Sequence, residues 1–176
     1  MGAGGTGVCL PAAFAQPYPH PMTPHLRRAV AADAPALTAL MHASSAYHGA
    51  YASILTGYVV TPEQVARDVM VLAEASGRVL GFYSLMLGDV PELDLMFVAD
   101  EMQGSGLGRV LFQHMQREAT ERGLRSVKIV SNPPAEGFYL KQGAVRVGTK
   151  PPAPPRTTWE QPILLLPIGQ ARAGSP

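Results

Sequence analysis

Glu92-Leu-Asp-Leu-Met-Phe-Val98, then Ala99-Asp-Glu-Met102, then Gln103-Gly-Ser-Gly-Leu-Gly-Arg109 is the stretch whose reading decides the fold. It reads as a strand, a turn, a glycine-rich corner and the start of a helix. Gly106 and Gly108 let the backbone approach a ligand with no Cβ in the way. A helix N-terminus behind such a corner points N–H groups and a positive dipole end at one spot, where a phosphate can sit. The helix runs from about Leu107 to Arg122, with Leu107, Val110, Leu111, Met115 and Ala119 at helical spacing on one apolar face. Gly123 is placed to stop it. The glycines alone would equally suit a tight strand-to-helix turn with no ligand.

Two nucleotide readings of the corner fail. A P-loop needs Lys then Ser or Thr after its last glycine, and Gly108 is followed by Arg109 and Val110. A dinucleotide fingerprint needs G-x-G-x-x-G, whereas Gly104, Gly106 and Gly108 fall at every second position. Downstream, Asn132-Pro-Pro-Ala135-Glu-Gly-Phe138-Tyr139-Leu-Lys-Gln-Gly143 sets a tyrosine on a helix shortly after a strand.

Gln103-x-x-Gly106-x-Gly108, after a strand ending in Val98, resembles the acetyl-CoA-binding motif of the GCN5-related N-acetyltransferases (GNAT). Asn132-x-x-Ala135-x-x-Phe138-Tyr139-x-x-x-Gly143 resembles that family's second motif, in order and at the usual separation. The resemblance covers about Leu26 to Ile168, loosely at both ends. It implies an α/β (α+β) fold, a mixed and mostly antiparallel sheet of about six or seven strands flanked by about four helices. It implies acetyl-CoA as co-substrate and no metal. The corner residues Gln103, Gly104, Ser105, Gly106, Leu107, Gly108 and Arg109 would bind the CoA pyrophosphate. Met96, Phe97 and Val98, on a strand that splays from its neighbour, would meet the pantetheine arm, with Asn132, Phe138 and Tyr139 close by. Tyr139 matches the family tyrosine that protonates the CoA thiolate. Ala144 departs from the family, which often has an aromatic after Gly143.

Composition agrees. A chain of 176 residues, 47% hydrophobic and 15% charged, suits one globular domain with a full core. A net charge of +1 gives no push toward nucleic acid or membrane. No stretch approaches the ~18 apolar residues of a membrane span. The single cysteine, Cys9, allows no internal disulfide and fits a reducing, cytoplasmic setting. His20, His25, His42, His48 and His114 are scattered without metal-ligand spacing. A homodimer stays open.

Residues 1–22 carry Pro11, Pro17, Pro19 and Pro21 and read as a flexible leader, 23–168 as the domain, and 169–176 as a tail. Gly2-Ala-Gly4-Gly-Thr-Gly7 fits a dinucleotide pattern, but no strand precedes it. Leu26–Val30 reads as a first strand. Asp33 caps a helix through Leu37, Leu40 and Met41, with Pro35 in its first turn. Thr61 and Gln64 start a second helix through Val65, Val69 and Leu72, ending near Gly77. Arg78–Leu87 reads as one or two buried strands, Arg125–Val130 as the strand after the long helix, and Pro151–Pro155 as a loop. Trp159–Leu166 is a last strand, where Pro162 suggests an edge or a bulge.

Acetyl transfer needs an amine freed of its proton, a polarised carbonyl and a proton for the departing thiolate. Glu92 and Asp94, two apart on a strand, share a face, with Leu93, Leu95 and Phe97 on the other. Either carboxylate could take the amine proton, and Glu92 is the nominee. Both could equally be solvent-facing strand residues. N–H groups near Phe97 and Val98 could stabilise an oxyanion. The acceptor segment is about Ser44–Val60, with Tyr47, His48, Tyr51 and Tyr58 and no acidic cluster. That suits a small-molecule amine better than a basic peptide. The alternatives are a protein or peptide acceptor, and a non-catalytic acyl-CoA-binding module.

Overall fold

The structure, a computed structural model, describes residues 24–169. The leader, the N-terminal glycine pattern, Cys9, His20 and nearly all of the tail lie outside the described residues. Seven strands form one sheet, β1 (His25–Arg28), β2 (Val69–Ala75), β3 (Arg78–Met86), β4 (Glu92–Val98), β5 (Ser126–Val130), β6 (Val145–Lys150) and β7 (Gln161–Pro167). Their order is β1-β2-β3-β4-β5-β7-β6, and only β4 and β5 are parallel. Four α-helices flank it, α1 (Ala34–Ala43), α2 (Pro62–Arg67), α3 (Leu107–Glu121) and α4 (Pro133–Lys141). The mixed, mostly antiparallel sheet expected from the sequence is present.

Each sheet face buries its own core. Leu111, Phe112, Met115 and Ala119 of α3 pack with Leu80, Val127, Ile129 and Leu164 on one face. Leu37 and Met41 of α1 pack with Met70, Leu72 and Phe82 on the other. Fully burying a side chain such as Leu111 or Met115 contributes about 2 kcal/mol. The apolar face of α3 includes Phe112 and excludes Val110, which is 46% exposed. Gly81 on β3 lets α3 come close. A Cβ there would stand 2.9 Å from Leu111 Cδ1 and 2.9 Å from the Phe97 carbonyl oxygen. Gly123, at φ 68°, ends α3 as expected, with its N–H on the Thr120 carbonyl at 2.9 Å.

Three expectations are corrected. The second helix starts as read, with Thr61 accepting from the Gln64 N–H at 3.2 Å, but it ends at Arg67. Val69 and Leu72 belong to β2. The run Val69–Ala73 is buried throughout, which suits a strand covered on both faces, and its spacing matches a helix by coincidence. Leu93, Leu95 and Phe97 do not share a face. Leu85 pairs with Leu93 and Ser84 with Leu95, so Asp94 is an extra residue in β4. That bulge sends Leu93 into the α3 core and Leu95 and Phe97 into the α1 core. Pro162 lies on an inner strand, between β5 and β6. It is tolerated because β5 ends opposite Ile163. The Pro162 carbonyl still accepts from the Ser131 N–H at 2.9 Å, so the proline forgoes only the return bond at the end of that ladder.

Candidate active site

The β4–β5 register contains one pair, Glu92 with Lys128. Lys128 also donates its backbone N–H to the Pro91 carbonyl at 2.8 Å. A bulge bends the strand that carries it, so beyond Asp94 the path of β4 departs from β5. Beside that edge of β4 a wedge-shaped cavity of about 310 Å3 is walled by Met96, Phe97 and Val98, by Gly108 of α3, by Asn132 just past β5 and by Phe138 of α4. A second cavity of about 260 Å3 lies over the sheet, against Glu92, Asp94 and Gln161. The two share Tyr47, Met96, Phe97, Asn132 and Tyr139.

The glycine corner stands at the wedge mouth. Gly104 and Gly106 have φ of 77° and 90°, in the left-handed region that glycine tolerates. Gly106 is the N-cap of α3 and has no side chain to cap it. A Cβ on Gly106 would meet no protein atom, so the space above it is open to a ligand. Ser105 Oγ donates to the Met102 carbonyl at 2.6 Å and accepts from the Leu107 N–H at 3.3 Å. Gln103 Nε2 donates to Asp100 Oδ1 at 2.8 Å. Arg109 is exposed, with no side-chain partner among the described residues. A cation in the first turn of a helix is opposed by the dipole, and an anion over the corner reverses that. These features fit a pyrophosphate.

Tyr139 stands where the cavities meet. Its ring contacts Phe112 and Phe138 at centroid distances of 5.8 and 5.2 Å. Burial, then the neighbouring Tyr47, raises its pKa above the usual tyrosine value, so it holds its proton at neutral pH. Asn132 is pinned from two sides. Its Oδ1 accepts from Trp159 Nε1 at 3.2 Å and from Gln161 Nε2 at 3.3 Å.

The two carboxylates differ. Glu92 Oε2 accepts from Lys128 Nζ at 2.8 Å, so any amine or water must compete with a lysine for it. Asp94 faces Tyr58 and Gln64, whose Nε2 lies 3.4 Å from Asp94 Oδ2 and donates to the Tyr58 hydroxyl at 2.9 Å. The cavity walls strip water from Asp94 although the residue is accessible. That dehydration, then the charges of Glu92 and Asp68, raises its pKa above the ordinary carboxylate value. His48 is exposed and lines neither cavity.

The family model for the acetyltransferase (GNAT) domain matches residues 52–151. The chain belongs to the GNAT family. None of the curated proteins matches it in sequence. Among solved structures, the ribosomal-protein-S18-alanine N-acetyltransferase from Escherichia coli is similar at 19% identity and TM-score 0.64, over 88% of this chain and 99% of that one. The PaiA N-acetyltransferase from Thermoplasma acidophilum, in complex with coenzyme A, is similar at 16% identity and TM-score 0.67, over 84% and 100%. A GNAT acetyltransferase from Elizabethkingia anophelis with acetyl-CoA bound is similar at 18% identity and TM-score 0.54, over 60% and 80%.

As a GNAT acetyltransferase domain, the protein uses acetyl-CoA as co-substrate. The sequence reading missed the residues that brace this GNAT site. Lys128 was signalled by being a cation between buried Val127 and Ile129. Gln64, buried in the first turn of a short helix, gave no signal beyond its capping role. Trp159 and Gln161 reach Asn132 only through the β5-β7-β6 strand order. No group of three or more His, Cys, Asp or Glu stands ready to hold a metal among the described residues, and no described helix is long and apolar enough to cross a membrane.

Proposed function

We propose that the protein transfers the acetyl group of acetyl-CoA directly to the primary amine of a small molecule, with Asp94 as base and Tyr139 as acid. The observation that carries this is the junction. A wedge suited to the CoA arm and a cavity bearing a carboxylate meet at a buried, protonated tyrosine. In the step, the amine nitrogen bonds the carbonyl carbon as its proton passes to Asp94, directly or through one water. The carbon–sulfur bond breaks, and the Tyr139 hydroxyl gives its proton to the thiolate. Backbone N–H groups of β4 near Phe97 and Val98 take the developing charge on oxygen. Gln103 to Arg109 hold the pyrophosphate.

Asp94 replaces Glu92, the nominee from strand position, because Lys128 occupies Glu92. A small acceptor is favoured by the roof over the cavity. Ser53 Oγ donates to the Arg156 carbonyl at 2.9 Å, tying the segment 49–55 to the loop 151–160. A polypeptide tail would have to break that tie. A cytoplasmic setting accompanies this reading.

Thiol release from acetyl-CoA across an amine panel tests the transfer. A base with a raised pKa is active as carboxylate, so the rate rises with pH through an ionisation above the ordinary carboxylate range. Asp94→Asn is expected to lower the rate by about 10²-fold and abolish that rise. Glu92→Gln is expected to leave the rise in place. The reverse pattern restores Glu92 as the base.

A further inference from the structure

The sheet face under the acceptor cavity is polarised. Asp94 and Glu92 stand on β4, and Lys128 on β5 neutralises Glu92 at 2.8 Å. Farther along the sheet, Lys150 on β6 pairs across the register with Gln161 of β7 and lines the same cavity. Arg156 lines it from the roof. The Arg156 backbone is fixed, with its N–H on the Ala153 carbonyl at 3.1 Å and its carbonyl accepting from Ser53 Oγ. Neither the Lys150 ammonium nor the Arg156 guanidinium has a side-chain hydrogen bond or ion pair among the described residues.

A solvated surface cation is ordinary. These two are distinguished by sharing one cavity with the acceptor carboxylate. Once Glu92 and Lys128 cancel, that cavity presents one negative group, Asp94, and two positive ones. This is the complement of a molecule with a cation at one end and an anion at the other. Arg156 supplies a planar fork that matches a carboxylate or a phosphate, and Lys150 supplies a point charge.

We infer that the acceptor is an amphoteric small molecule, a primary amine that also carries a carboxylate or a phosphate-type anion, with the anion held by Lys150 and Arg156 and the amine turned toward Asp94. This rests on the transfer function proposed above and names its substrate class. An anion at that end leaves the amine as the end facing the tyrosine, so the charges orient the acceptor as well as bind it.

The test is thiol release by the full chain with a matched panel of an alkylamine, its amino-alcohol, the amino acid of the same length, the aminoalkylphosphonate and the diamine. The anionic amines are expected to exceed the alkylamine in kcat/KM by about ten- to a hundredfold, the scale of a charge-assisted hydrogen bond, with the diamine poorest. The carboxylate and phosphonate arms separate the two anion types. The double variant Lys150→Gln with Arg156→Gln is expected to erase that preference through a rise in KM. Both residues are exposed, and a thermal shift with CoA verifies that the variant is folded. Equal turnover of neutral and anionic amines, or a preference that survives the double variant, overturns this inference and leaves the transfer reading standing. No release with any amine overturns both.

Discussion

The two cavities are built by different means. The wedge relies on backbone: the free edge of β4, two left-handed glycines and a helix N-terminus within Glu92–Arg109, with apolar side chains of β4 and α4 as its walls. The acceptor cavity is made of side chains, Tyr58, Asp94, Lys150, Arg156 and Gln161, from segments up to about a hundred residues apart. A site of backbone depends on local conformation and takes a ligand common to many relatives. A site of side chains depends on topology and can be re-specified one residue at a time.

Three substitutions would break or sharpen that contrast. The largest effect on chemistry falls at the junction. Tyr139→Phe is expected to lower kcat by about 10²-fold while the Kd for CoA stays near the parent's, read by steady-state kinetics and calorimetry. An unchanged kcat would make Tyr139 a wall shared by both cavities and nothing more. Next comes the wedge. A Cβ on Gly108 meets Val98, Phe138 and Met96 no closer than 3.7 Å, so the fold accepts Gly108→Ala, but the methyl enters the space for the CoA arm. CoA affinity is expected to fall about tenfold with little change in Tm. Undiminished affinity would place the arm elsewhere. The smallest effect on chemistry belongs to Gly81, which touches neither cavity. Gly81→Ala pushes on Leu111 and on the Phe97 carbonyl and is expected to cost about 1–3 kcal/mol in a denaturant titration, with turnover in the folded fraction lowered less than by Tyr139→Phe, because only the position of the Phe97–Val98 peptide shifts.

The same contrast explains what could be read from the chain. β4, the glycine corner, α3, α4 and the start of α2 were legible because each is specified by neighbours in sequence: Gly106 by its turn, Leu111 and Met115 by helical spacing, Thr61 by its cap. The failures came where tertiary structure overrides local pattern. Val65, Val69 and Leu72 satisfy a helical period, yet the sheet takes Val69 onward as a strand. Leu93 and Leu95 alternate correctly on paper, and one bulge residue, Asp94, separates them onto opposite cores. Phe112 displaces Val110 from the buried face by a rotation of α3 that sequence spacing leaves free. Lys150 and Arg156 reach the acceptor cavity only because β7 inserts between β5 and β6, an order that no local signal encodes.

The single pair at Glu92 and Lys128 has a consequence for how the middle of the sheet behaves. Past that pair, β4 and β5 each present a border inside the molecule, where a strand would ordinarily continue the ladder. Borders of this kind recruit any extended chain that offers alternating donors and acceptors. A peptide-like arm laid in the gap would act as a temporary strand and restore a continuous sheet for as long as it stays. Amide exchange along Met96–Val98 and Ile129–Val130 should therefore slow when that arm is present, so the tightening of this seam reports occupancy without reference to catalysis.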